Sequence, residues 1–154
     1  MIEKEIAVVV QEHCAGVDGL AGLFMEAAVT ERKLPGGLGL DVRCAWPEML
    51  PEPQLAYGYN EENEGWGSAN SIEVRNYDWA LRITVAMDAE DARLVWACAH
   101  SAVRSNRGPK WARIGRMRGL HAQTVKRRFE RALLELWFKL GFFAEGVDDA
   151  REIT

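Results

Sequence analysis

The sequence predicts a mainly α-helical single domain that spans residues 1–154, and three observations lead to this fold class. Apolar residues recur at spacings of three and four in several segments, as they do along one face of a helix. Asp88 is followed by Glu90 and Asp91, and an acidic first turn after such a residue is typical of a helix start. Four of the five prolines lie between residues 35 and 71, so the strongest helix breakers are concentrated in one segment.

Residues 1–34 are predicted to form two N-terminal helices. The β-branched run Ile6–Val10 would also suit a strand, but the charged residues around it favour a helix from about residue 2 to Cys14. Gly16 interrupts the pattern, and Asp18 is expected to cap a second helix that runs to about Lys33.

Residues 35–71 are predicted to be an irregular aromatic and acidic segment. Prolines and glycines favour loops there, and Glu61, Glu62 and Glu64 form an acidic run. We expect this segment to be an ordered loop that packs on the helices, because it contains four aromatic residues: Trp46, Tyr57, Tyr59 and Trp66.

Helices are predicted again over residues 72–143. One covers about Asn76 to Met87, and the next begins at Asp88. After a loop, Pro109 is expected to open a further helix. The last helix is predicted to run to about Gly141, because one apolar stripe keeps helical spacing: Val125, Phe129, Ala132, Leu133, Leu136 and Leu140.

Residues 110–140 have the spacing of a helix-turn-helix. Gly115 would allow the two helices to approach closely, and Gly119 suits the positive φ that ends a helix. His121 falls in the N-cap region of the second helix, and Met117 is expected to fill the space before the turn. The apolar positions predicted to share one cluster are Ile114, Leu120, Val125 and Phe129.

Positive charge is concentrated in the same stretch. Residues 101–131 contain ten Lys/Arg and a single acid, Glu130, for a net charge of +9. The whole chain has a formal charge of −4, so the remaining residues carry −13. A field of this density favours a polyanion over a small substrate. The acidic remainder is either an ordinary solvated surface or a docking surface for a protein partner.

The helix-turn-helix spacing assigns roles to these cations. Ala122, Gln123 and Lys126 are expected to face a major groove, where Gln bonds adenine edges and Lys bonds guanine edges. The other cations are expected to contact phosphates and so set the register on DNA. The predicted DNA-binding residues are Lys110, Arg113, Arg116, His121, Ala122, Gln123, Lys126, Arg127, Arg128 and Arg131.

Four aromatic residues near the C-terminus lie outside the apolar stripe of the last helix: Trp137, Phe138, Phe142 and Phe143. They are predicted to be core residues covered by the N-terminal half. The alternative is a homodimer contact, since helix-turn-helix proteins commonly dimerise to read two half-sites.

Asp91 to Ala97 (DARLVWA) is followed in the sequence by Trp111, Ile114, Thr124, Arg127 and Arg128. In this pattern the chain resembles a family of small uncharacterised helix-turn-helix proteins from bacteria and their prophages. The resemblance extends more loosely upstream and covers about two thirds of the chain. It implies a DNA-binding helix-turn-helix of the kind found in sigma-factor C-terminal domains, with no catalytic residue and no defined target.

Other classes of protein are less well supported by the residues. Three cysteines lie far apart, which argues against a disulfide framework and for a reducing compartment, and no apolar run reaches the length of a membrane span. We therefore expect a cytoplasmic protein without a membrane contact. His13, Cys14, Cys98 and His100 lack metal-ligand spacing, so neither a metal nor a cofactor is expected.

The sequence thus predicts sequence-specific binding of double-stranded DNA and regulation of transcription in a bacterium or prophage. One alternative is a phage DNA-packaging component that resembles a small terminase subunit. Another is an adaptor whose basic face meets an acidic protein. An enzyme is not expected, because no Ser/His/Asp arrangement or other titratable constellation is visible.

Overall fold

The computed structural model describes residues 3–34, 67–103, 105 and 107–145, and these contain six α-helices and no strand. The predicted mainly α-helical fold is confirmed. The predicted irregular segment lies outside the described residues except for 67–71. The helices are α1 (Lys4–Cys14), α2 (Val17–Lys33), α3 (Ser71–Thr84), α4 (Ala89–Ala102), α5 (Trp111–Arg118) and α6 (Ala122–Glu145).

Helices α1 and α2 meet at a sharp corner. Ala15 has a φ of 52° and Gly16 has a φ of 153°, and the chain bends by 102° between the two helices. Gly16 is the N-cap residue of α2. The prediction that Asp18 caps this helix is therefore wrong, because the left-handed turn at Ala15 starts α2 two residues earlier than a cap at Asp18 would. Asp18 lies in the first turn instead, where its charge complements the helix dipole.

Helix α3 begins with a capping box that the sequence analysis did not anticipate. The Asn70 side chain accepts a hydrogen bond from the Glu73 backbone N–H at 2.8 Å, and a Glu73 carboxylate oxygen accepts one from the Asn70 N–H at 2.9 Å. The start at Ser71 lies five residues before the predicted one. Lys33, at the end of α2, pairs with Glu73 at 2.5 Å. This pairing and the capping bond lower the pKa of Glu73.

Helices α3 and α4 are joined by a short turn and by a hydrogen bond between two side chains. Asp88 is the N-cap residue of α4, as predicted, although its side chain makes no capping hydrogen bond. Trp96 of α4 donates its indole N–H to the Thr84 hydroxyl at 3.0 Å. The Trp96 ring packs edge-on against Phe24 of α2, with ring centroids 5.4 Å apart. Trp96 thus ties three helices together.

The core lies between α2 and the surrounding helices. Its largest fully buried side chains include Phe24 and Leu20 of α2, Ile83 of α3 and Leu133 of α6. Cys14 and Cys98 are free and buried, and burial raises the pKa of Cys14 to about 11 and that of Cys98 to about 12. Within the described ranges no single helix is long and apolar enough to cross a membrane; α1 and α2 meet that criterion only when joined across their 102° bend.

Helix α6 continues to Glu145, four residues beyond its predicted end. Its stripe of core residues is buried as predicted, from Val125 to Leu140. The prediction that the C-terminal aromatic residues are core is wrong for three of the four: Phe138 is 60% exposed, Phe142 62% and Phe143 36%. The neighbouring helices cover only one side of α6, so Phe138 and Phe142 project away from them. Trp137 does pack against the core.

Candidate nucleic-acid interface

Helices α5 and α6 are connected by a three-residue turn at 119–121. Gly119 has a φ of 67°, and its backbone N–H bonds the Gly115 carbonyl, which ends α5. The Leu120 N–H bonds the same carbonyl at 2.8 Å. His121 precedes α6, and its Nδ1 accepts a hydrogen bond from the Gln123 N–H at 3.3 Å. The predictions that Gly119 ends α5 and that His121 occupies the N-cap region of α6 are confirmed.

Gly115 is where the turn passes closest to α5. A Cβ atom at this position would lie 2.4 Å from the Leu120 carbonyl oxygen and 3.4 Å from the Ala122 nitrogen. Real Cβ atoms do not approach backbone oxygen this closely, so only glycine fits without a shift of the turn. The predicted close approach at Gly115 is confirmed, and its partner is the turn itself.

The turn is held by one apolar cluster. Ile114, Val125 and Phe129 are buried, and Leu120 packs against them, as predicted. Trp111 adds an edge-on contact to Phe129, with ring centroids 5.3 Å apart. Together these residues hold α5 against the first half of α6.

The expectation that Met117 fills the space before the turn is wrong, because its side chain is 78% exposed. Leu120 is the residue that packs on the core beside the turn. The left-handed conformation of Gly119 sends the chain back over α5, which delivers Leu120 rather than Met117 to the apolar cluster.

Helix α5 begins two residues later than predicted. Pro109 lies before the helix, and Lys110 is its N-cap residue. The Lys110 backbone N–H bonds the Ser101 hydroxyl at 3.0 Å, and this hydroxyl donates to the Cys98 carbonyl at 2.7 Å. Ser101 therefore anchors the start of α5 on α4. This role could not be predicted from the sequence, because the hydrogen bond joins two residues on opposite sides of the loop between α4 and α5.

An open groove of about 570 Å³ lies between the first turns of α5 and α6. Its lining includes Trp111 and three cations: Lys110, Arg113 and Arg116. These cations are exposed, and none of them forms an ion pair with another described residue. Within the described part of the chain, no acid neutralises the positive charge of the groove, which lies next to the positive ends of two helix dipoles.

The outer face of α6 continues this positive surface. Gln123, Arg127 and Arg131 are exposed and spaced four residues apart, so they lie along one side of the helix. Arg131 contacts Glu135 at 3.5 Å, and Lys126 lies 3.9 Å from Glu130. Arg127, like Arg128 beside it, has no ion-pair partner among the described residues. Among the described residues, these two arginines are the exposed cations of α6 that form no ion pair.

The predicted DNA-binding residues are thus brought together on one helix pair, with one correction. Ala122 is half-buried and lines the groove instead of projecting outward. Two further exposed residues lie on the same helix pair and are not among the predicted ones: Arg118, a cation at the end of α5, and Thr124, beside Gln123. The charge of Arg118 is the signal in the sequence that could have pointed to it. In the described ranges no three His, Cys, Asp or Glu side chains converge as metal ligands would.

Over the residues that the structure describes, the fold and this surface define a small helical protein with a cationic helix pair beside an acidic body. The chain belongs to the family described as Domain of unknown function (DUF6362), which matches residues 32–136. The matched region contains α3, α4, α5 and the first half of α6, and therefore the whole cationic surface. No curated protein and no solved structure gave a significant match.

Proposed function

We propose that this protein binds double-stranded DNA through α5 and α6, used as a helix-turn-helix, and that it regulates transcription in a bacterium or prophage. The observation that carries the proposal is a helix pair whose exposed cations form no ion pair with other described residues: Lys110, Arg113 and Arg116 in the groove, with Arg127 and Arg128 on α6. The family resemblance of the sequence adds support. The cytoplasm is the compartment that such a function requires.

The division of labour follows from position along α6. Gln123 is exposed in the first turn, and the first turns of a recognition helix are the part that reaches base edges. Its amide suits the donor and acceptor pattern of adenine in the major groove. Arg128 lies more than a turn further on and is assigned to a phosphate. Lys110, Arg113 and Arg116 would hold phosphates at the groove and so set the register.

The first test compares Gln123→Ala with Arg128→Ala on duplexes selected from a random pool by the wild-type protein. Arg128→Ala is expected to weaken binding to all sequences alike and to reduce the salt slope by about 0.9, the value for one phosphate contact. Gln123→Ala is expected to narrow the difference in affinity between selected and random duplexes by about 1–3 kcal/mol. Fluorescence anisotropy over a range of salt concentrations measures both quantities.

Two results would count against the assignment. Equal, sequence-independent losses from both variants would remove the base-reading role of Gln123. Absence of any duplex binding by the wild-type protein at low salt would remove the proposal and favour an adaptor that meets an acidic protein. Light scattering distinguishes regulation of transcription from DNA packaging. A multi-subunit ring would favour packaging, and a monomer or dimer would favour regulation.

A second prediction concerns Glu130, the single acid within the basic stretch. Its carboxylate lies 3.9 Å from the Lys126 ammonium and partly neutralises it. Glu130→Gln is expected to raise DNA affinity about threefold to tenfold at low salt, because one repulsion is removed and one cation is released. The gain should shrink as salt is added, and anisotropy titrations would measure it.

Glu90→Gln is the matched control for this charge change. Glu90 is exposed in the first turn of α4, at the opposite end of that helix from Ser101, which holds α5. The same loss of one negative charge there should leave DNA affinity nearly unchanged. Equal gains from both substitutions would mean that overall charge, and not the α6 surface, governs binding.

A further inference from the structure

Arg127 projects from α6 directly away from the core. The core residues in this part of the helix are Val125 and Phe129, and both are buried. Arg127 lies two residues from each of them, which corresponds to about 200° around the helix axis. Its side chain therefore leaves α6 on the side opposite to these two core residues, where it is exposed. A partner that lies along the first half of α6 would approach from this side.

Two further cations lie on either side of Arg127. Lys126 and Arg128 are its neighbours in the sequence, so they project about 100° to one side and about 100° to the other. The cationic groove is on the Lys126 side, because Ala122 lines the groove and lies four residues before Lys126 on the same side of the helix. Positive charge thus borders the outward line of Arg127 on both sides.

The cations of α6 differ in the partners that they already have. The Lys126 ammonium lies 3.9 Å from a Glu130 carboxylate oxygen, and the Arg131 guanidinium lies 3.5 Å from a Glu135 carboxylate oxygen. Arg127 forms no ion pair with any described residue. Its guanidinium can therefore turn toward a ligand without giving up a partner.

The Arg127 side chain lies over the first turn of α6. Side chains on a helix lean toward the N-terminus, so a residue covers the turn before its own. For Arg127 this is the turn that contains Gln123 and Thr124, both of which are exposed. Thr124 is short, so it leaves room for the guanidinium beside the Gln123 amide. Two long side chains with hydrogen-bond donors are thus adjacent at the start of the helix.

We propose that Arg127 recognises a guanine in the major groove, next to the base recognised by Gln123; this assignment rests on the proposed DNA-binding function. A guanidinium group presents two parallel N–H donors, and guanine presents the N7 and O6 acceptors on its major-groove edge. One arginine therefore forms two hydrogen bonds with this base. Lys126, which the sequence predicts to bond guanine, lies on the flank beside Glu130 and is assigned to a phosphate.

A phosphate contact is the competing assignment for Arg127 itself. When a helix lies in the major groove, the two sugar–phosphate backbones pass on its two sides, and the base edges lie between them. Lys126 and Arg128 face the backbones in this arrangement, whereas Arg127 faces the space between them. A guanine contact depends on the DNA sequence and a phosphate contact does not, so binding experiments distinguish the two assignments.

The test uses the full-length protein and a duplex that the wild type selects from a random pool. Each guanine of this duplex is replaced in turn by 7-deazaguanine, which lacks the N7 acceptor, or by inosine, which keeps N7 and O6. At one position, 7-deazaguanine is expected to weaken wild-type binding about threefold to tenfold, and inosine to leave it nearly unchanged. Arg127→Ala should bind the 7-deazaguanine duplex and the unsubstituted duplex equally well at that position.

Arg128→Ala is the matched control, because it removes the same charge from the adjacent exposed position. It should weaken binding to all duplexes alike and remain as sensitive to 7-deazaguanine as the wild type. Arg127→Lys keeps the charge but loses the planar pair of donors. This variant should keep the salt dependence of wild-type binding and show a smaller preference for guanine. Circular dichroism spectra and melting temperatures should match the wild type for all three variants, because both positions are exposed.

The possible results separate this inference from the function on which it rests. If Arg127→Ala remains sensitive to every 7-deazaguanine and loses affinity equally on all duplexes, the guanine assignment is overturned and DNA binding stands. Full recovery of wild-type affinity and guanine preference in Arg127→Lys would also overturn it, since a phosphate accepts either cation. Absence of duplex binding by the wild type at low salt would overturn the function and the inference together.

Discussion

Replacing Gly19 with alanine is expected to destabilise the protein by about 3 kcal/mol or more, a large share of the ~5–15 kcal/mol that holds a domain of this size together. Gly19 lies in the first turn of α2, directly against the end of α1. A Cβ atom there would lie 1.8 Å from the Cys14 carbonyl oxygen and 2.7 Å from the carbonyl carbon. Both atoms are backbone, so the α1–α2 corner itself would have to open.

Urea denaturation followed by circular dichroism would measure this loss. Gly22→Ala is the matched control, because Gly22 also lies within α2 but nothing stands within 4 Å of its Cβ position. That variant should gain about 0.5–1 kcal/mol of stability from the better helix propensity of alanine. A Gly19→Ala protein as stable as the wild type would mean that the corner is looser than the structure describes.

Replacing Gly115 with alanine is expected to cost about 2–3 kcal/mol of stability and also to lower DNA affinity more than about tenfold. The new methyl group would meet the Leu120 carbonyl oxygen at 2.4 Å. Relief of this contact requires the turn to move away from α5, and α6 begins directly after the turn. The cations of the groove would then lose their alignment with Gln123 and Arg127.

Gly19→Ala serves as the control that separates stability from function. It should destabilise the protein by at least as much, at a corner remote from the cationic surface, and its folded fraction should bind DNA like the wild type. Anisotropy titrations at a temperature where both variants are folded compare the two. If Gly115→Ala protein that is folded binds DNA with wild-type affinity, the crossing of α5 and α6 is not what positions the DNA-binding residues.

Much of the cationic helix pair could be predicted from local sequence, because its determinants act within a few residues. Gly119 ends α5 through a left-handed φ, and a histidine in the N-cap position accepts from the N–H of Gln123 two residues on. The apolar spacing of α6 likewise predicted its buried side correctly from Val125 to Leu140. Each of these features depends on backbone sterics or helical periodicity, which short segments carry by themselves.

Long-range contacts could not be predicted in the same way. The start of α3 depends on a capping box that Lys33 reinforces from 40 residues away, and α5 is anchored by Ser101 across a loop. The late start of α5 also depends on a long-range contact. Pro109 was expected to open the helix, but the hydrogen bond from the Lys110 N–H to Ser101 places the first helical residue at Trp111. Such bonds depend on how helices are docked, which is not encoded in any one segment.

Local sequence therefore determined that this protein is helical, where its last two helices turn, and that its positive charge is gathered on them. Only the tertiary structure decided which of the apolar residues outside the periodic stripe of α6 are core and which are surface. Phe138 and Phe142 are as hydrophobic as Phe24, yet they are exposed while Phe24 is fully buried. The physical reason is that burial is a property of neighbours: a helix presents side chains in every direction, and the packing of the other helices selects which of them leave water.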